Sequence, residues 1–119
     1  MHTVVVVGHG RDDGLLLESM ARDVGARTAS LRTWNDTQEY IDTGRPADLY
    51  LVNDLLDANG EQGAELIGDV LQLCPETRCM IVSDYQTEQE LAATQGAIPG
   101  FGKRESRDNI KAKIKDALA

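Results

Sequence analysis

The sequence predicts an α/β fold: a doubly wound, five-stranded parallel sheet with helices on both faces. Three observations carry this. Thr3–Val7, Leu49–Val52 and Cys79–Val82 are continuous apolar runs of strand length, rich in Val, Ile and Leu. Such runs mark strands covered on both faces. Segments of helical period separate them, and strands alternating with helices of this length form parallel units joined by right-handed crossovers. The length, 119 residues, suits one domain with one core, residues 1–119, with no internal linker or repeat.

Each element can be justified in order. After the first strand, Leu15, Leu16, Leu17, Met20, Ala21 and Val24 recur at helical spacing. Asp12 or Asp13 is a candidate cap for that helix, and Gly25 suits its stop. Arg27–Leu31 reads as a short second strand. Thr33-Trp34-Asn35-Asp36 opens a helix that carries Tyr40 and Ile41 and ends at Gly44. Leu49–Val52 is the third strand, followed by the turn Asp57-Ala58-Asn59-Gly60. The next helix buries Leu66, Ile67, Val70, Leu71 and Cys74, and Pro75 stops it. After Cys79–Val82, Thr87 is expected to cap a helix running through Glu90, Leu91 and Ala92 to Gly96. Ala97–Phe101 is the expected fifth strand, although Pro99 and Gly100 lie within it. Ser106 caps a last amphipathic helix with Ile110, Ile114, Ala117 and Leu118 inward.

Composition narrows the function. A net charge of −8 argues against a nucleic-acid surface, which needs clustered Lys and Arg. Lys111, Lys113 and Lys115 read as the solvated face of the last helix. No apolar run reaches membrane-spanning length, and no secretory leader precedes the first strand, so a cytoplasmic location without membrane contact is expected. Cys74 and Cys79 have neither Cys-x-x-Cys spacing nor a second Cys/His cluster, so they read as packing residues. Gly8-x-Gly10-x-x-x-Gly14 has the wrong spacing for a dinucleotide site, and no Gly-x-Ser-x-Gly elbow occurs. Trp34 and Tyr40 read as a packing patch.

In open parallel sheets, ligands bind beyond the carboxyl ends of the strands. The residues there are Gly8-His9, Asn53-Asp54, Ser83, and Lys103 after Gly100-Phe101-Gly102. A carboxylate, a hydroxyl and an ammonium in one cleft suit phosphoryl chemistry.

The order Asp54, Ser83, Lys103 resembles that of CheY-like receiver domains of two-component signalling, over essentially the full chain. Asp54-Leu55-Leu56-Asp57-Ala58-Asn59-Gly60-Glu61-Gln62-Gly63 resembles the family loop D-x-x-L-P-D-G-x-x-G, and Gly96-Ala97 with Gly100-Phe101-x-Lys103 resembles its Gly-Ala…Gly-Tyr/Phe…Lys run. The resemblance implies a flavodoxin-like module that is not itself an enzyme. In it, a strand-end aspartate accepts a phosphoryl group from a histidine kinase or phosphorelay partner. Ser83 and Lys103 would contact the phosphoryl oxygens, and Phe101 would move with Ser83. It also implies other signalling proteins as partners and leaves a homodimer open.

The departures point to an atypical member. Gly8-His9 stands where the family has its acidic pair, so magnesium is expected to bind weakly, with Asp54 as the remaining ligand. No other cofactor is implied. Counting from Asp48 puts Asn53 at the acceptor position; counting back from the glycine turn puts Asp54 there, and Asp54 is the preferred reading. Arg104 replaces the Pro that commonly follows the Lys. These features imply impaired magnesium-dependent phosphorylation and action through protein–protein contact. An alternative rests on Val4–Val7 followed by Gly8-His9-Gly10, which resembles the phosphohistidine turn of the mannose-type phosphotransferase enzyme IIA, with His9 as carrier.

Overall fold

The computed structural model describes all residues, Met1–Ala119. The elements are β1 (Thr3–Val7), α1 (Arg11–Asp23), β2 (Arg27–Leu31), α2 (Trp34–Asp42), β3 (Leu49–Asn53), α3 (Gly63–Leu73), β4 (Arg78–Val82), α4 (Gln86–Thr94) and α5 (Arg107–Leu118). The sheet is parallel, in the order β2-β1-β3-β4. Val5 pairs with both Ala29 and Tyr50, and Tyr50 pairs in turn with Cys79.

Strand alternation divides the core into two layers. Val4 and Val6 pack with Leu51, Met80 and Val82 under α1 and α5. Val5 and Val7 pack with Tyr50, Val52 and Ile81 under α2, α3 and α4. The docked stripes are Leu17, Met20 and Ala21 on α1, Leu66, Ile67 and Val70 on α3, and Ile110, Ile114 and Ala117 on α5. The helix α4 is attached more lightly: of its apolar residues Ala92 is buried, whereas Leu91 is exposed.

The caps correct two expectations. Gly10, not Asp12 or Asp13, is the N-cap of α1; both aspartates lie in the first turn, where they complement the helix dipole. Likewise α4 starts from Tyr85, so Thr87 is already helical. The caps at Thr33 and Ser106 stand where expected, each accepting a backbone N–H three residues on.

The expected fifth strand is absent as a regular strand, leaving a four-stranded sheet with one isolated bridge between Val82 and Phe101. The bonding explains why. Ile98 N–H donates to Cys79 O, but the next donor to β4 is Phe101, to Ile81 O. The outer segment thus advances three residues while β4 advances two, which is a bulge. Pro99 has no N–H to give, and Gly100 lies so close to Ile81 O that a Cβ would collide with it. Gln89 on α4 compensates: its side-chain amide donates to Ile81 O, Ser83 O and Phe101 O at 3.3, 3.0 and 3.3 Å.

Candidate functional site at the carboxyl ends of the strands

The turn after β1 is built on Gly8. Its φ of +75° favours glycine, and a Cβ there would run into Leu56 Cγ. Leu56 is 1% exposed and fills the space above the end of β1. The backbone locks this arrangement: Asp57 N–H donates to Gly8 O and Leu56 N–H to Glu61 O, at 2.8 and 2.9 Å. Glu61 in turn accepts from Trp34 N–H and from the Asn59 amide.

His9 turns inward. Its Nε2 lies 2.8 Å from Leu51 O, so Nε2 carries the proton, because a carbonyl only accepts. Nδ1 is buried with no partner. Burial pulls the pKa of His9 down to about 4; the bond to Leu51 opposes this, the Lys103 ammonium adds to it, and Asp13 and Asp54 oppose it more weakly. The ring is therefore neutral near pH 7. Lys103, Asp13, Phe101 and Val82 share with it a small cavity of about 30 Å³. One of its nitrogens is engaged and the other enclosed, so His9 does not present a nucleophile, which disfavours the phosphohistidine alternative.

Asn53 and Asp54 diverge. Asn53, the last residue of β3, is buried; its amide donates to Gly8 O at 3.0 Å and its oxygen accepts from Asp54 N–H at 3.0 Å. Asp54 is partly exposed. Its Oδ1 accepts from Leu55 N–H and its Oδ2 from Ser83 Oγ, both at 2.8 Å. Ser83 Oγ also accepts from Tyr85 N–H. Ser83 N–H donates to the carbonyl of Phe101, whose ring is buried. Of the residues singled out from sequence, Asp54 and Ser83 touch directly. Lys103 is exposed and sits on the His9 side. Asn53 has become a backbone tie between β3 and β1.

The donor set does not fit magnesium. Hard cations need several oxygen ligands. Gly8 supplies no side chain, Leu56 occupies the space beside it, and His9 is turned away. Both oxygens of Asp54 already accept hydrogen bonds. No group of three or more His, Cys, Asp or Glu side chains is placed to hold a metal ion.

Leu56 as a plug and Gln89 as a staple were not among the residues singled out from sequence, and Asn53 was singled out as an acceptor position, not as a tie. Gly8 followed by His9 gave a hint of the first. A lone Gln on a helix carries no such signal.

No protein-family model matches the sequence, and no curated protein matches it. Solved structures do match in shape. The chain superposes on NtrX from Brucella abortus with a TM-score of 0.88 at 20% identity, over 99% of this chain and 27% of that one. It thus spans about a quarter of that protein. The isolated receiver domain of the same NtrX matches with a TM-score of 0.87 at 20% identity, over 97% of both chains. A response regulator from Thermotoga maritima matches at 0.85 and 19% identity, over 99% of this chain and 98% of that one. The fold is that of the CheY-like receiver domains.

Proposed function

We propose that this chain is an atypical receiver-like signalling domain. It recognises a protein partner without a magnesium-dependent acyl-phosphate step. The observation that carries this is the 2.8 Å hydrogen bond from Ser83 Oγ to Asp54 Oδ2. The hydroxyl that would donate to an incoming phosphoryl oxygen is already drawn onto the carboxylate. Support comes from the Gly8–Leu56 packing, which leaves no room for an acidic pair, and from Lys103, which stands by His9. A phosphoryl group on Asp54 would lack the concentrated positive charge that such transfers need. The partner in this reading is a signalling protein, a histidine kinase among the candidates, or a second copy of the chain. The working location is the cytoplasm; no helix is long and apolar enough to cross a membrane.

Incubation with acetyl phosphate and magnesium, read by intact mass, tests the reading. No adduct is expected. A magnesium-dependent, base-labile adduct that disappears in Asp54→Asn would overturn it and restore ordinary receiver chemistry. An acid-labile, base-stable adduct lost in His9→Gln would favour the histidine carrier instead.

A further inference from the structure

The amino ends of the strands hold a second cavity, at the opposite end of the sheet from Asp54 and Ser83. Its volume is about 690 Å³, a size suited to a small organic ligand. Ile41, Ala47, Leu73 and Pro75 give it apolar walls. Its floor includes Tyr50, which is 1% exposed.

The two buried tyrosines of this layer differ. The Tyr40 hydroxyl donates to Pro46 O at 2.7 Å. The Tyr50 hydroxyl has no hydrogen-bond partner in the protein, and Tyr50 lines the cavity, where a ligand or water can accept its hydrogen bond. Burial, with Cys74, Tyr40 and Cys79 nearby, raises its pKa, so it stays a donor.

The charged groups around the cavity are not equally free. Asp48 accepts from Thr3 N–H at 2.7 Å and lies 3.7 Å from His2 Nδ1. Arg78 donates to Ala117 O, and Glu76 is exposed at the rim. Arg45 lies over the Tyr40 ring, 4.6 Å from its centroid, and makes no ion pair. A guanidinium stacked in this way keeps its in-plane N–H donors available. The unspent groups are thus the Arg45 cation and the Tyr50 hydroxyl donor above the apolar walls, with the Glu76 carboxylate, also unpaired, at the solvent-facing rim.

We propose that this cavity binds a small carboxylic acid with an apolar body, the carboxylate taken by Arg45 and the Tyr50 hydroxyl. The site does not depend on the signalling function proposed above.

Benzoate, with benzamide as its neutral counterpart, is the probe, followed by amide NMR on the whole chain. Saturable shifts are expected at Ala47, Tyr50 and Cys74, with none at Ser83 or His9. Benzamide should bind about tenfold more weakly, as should benzoate to Tyr50→Phe and to Arg45→Gln. The proposal is overturned by absence of saturation at roughly 10 mM benzoate. Equal binding of benzoate and benzamide, or unchanged binding in both variants, also overturns it. Arg45 is exposed, so its variant remains informative if Tyr50→Phe folds poorly.

Discussion

Over β1 the carboxyl edge of the sheet is sealed by an apolar side chain; over β4 it is laced by polar ones. At the β1 side, Leu56 lies on Gly8, and the ties are made by backbone groups and the Asn53 amide. At the β4 side, Asp54, Ser83 and Gln89 hold the edge through side-chain hydrogen bonds. The first arrangement is intolerant of change, because packed apolar contacts at a positive φ have no alternative geometry. The second is adjustable, since each hydrogen bond can be exchanged for one to water.

The sharpest way to break this contrast is to restore an acid at the sealed side. Gly8→Asp should cost about 3 kcal/mol or more, from backbone strain and overpacking against Leu56, as read by urea denaturation. Combining it with Leu56→Ala should relieve the clash with Leu56 Cγ but neither the 2.9 Å approach to Leu56 Cβ nor the φ penalty. If the single variant folds with wild-type stability and binds magnesium, the sealed edge is not sealed.

Acidification probes the same side through His9. Its folded pKa, about 4, lies below the ordinary value of 6.5. The unfolded chain therefore binds more protons between those values, and stability falls as pH drops through that window, levelling near pH 4. The loss from this residue is about 3 kcal/mol at full protonation. Urea midpoints at pH 7.5 and 5 should diverge less in His9→Gln, whose amide can still reach Leu51 O.

On the laced side the effects should be smaller. Gln89→Ala takes a side-chain donor from three carbonyls, of which Ile81 O and Phe101 O keep a backbone N–H, and should cost about 2 kcal/mol. Amide exchange should then quicken at Phe101 before it does at Val52. The smallest effect is expected for the partly exposed Asp54–Ser83 pair. A double-mutant cycle with Asp54→Asn and Ser83→Ala should give a coupling of about 1 kcal/mol. A coupling larger than the cost of Gln89→Ala would mean that the polar lacing centres on the acid, not on the staple.

The same contrast marks what the residues alone could tell. Continuous apolar runs placed β1, β3 and β4, and helical spacing placed the stripes of α1, α3 and α5, because burial on both faces writes itself into unbroken apolar runs. The strand at Ala97–Phe101 did not form as expected, since Pro99 and the approach of Gly100 to Ile81 O bulge it, and Gln89, a distant position, supplies donors to the carbonyls there. Asp54 and Ser83 were legible as strand-end residues meeting one another. The cavity that Lys103 shares with His9 was not, because it depends on His9 turning inward to Leu51 O. The lysines of α5 looked solvated, yet Lys113 donates to Gly100 O at 3.2 Å and to Glu105 at 3.0 Å. Burial alone would raise the pKa of Glu105; the Gly102 N–H and Lys113 outweigh it, so the carboxyl sits below its usual range.

The bulge at Pro99 also bears on how these molecules behave in a crowd. A regular outer strand would offer a row of free N–H and C=O groups on which another chain could crystallise its own backbone. Here the row is interrupted by a residue with no N–H, by a register that gains one position, and by Lys113 seated on the Gly100 carbonyl. A second sheet brought to this flank finds no continuous ladder to extend, and seeded fibre growth would have to start from β2 on the far side.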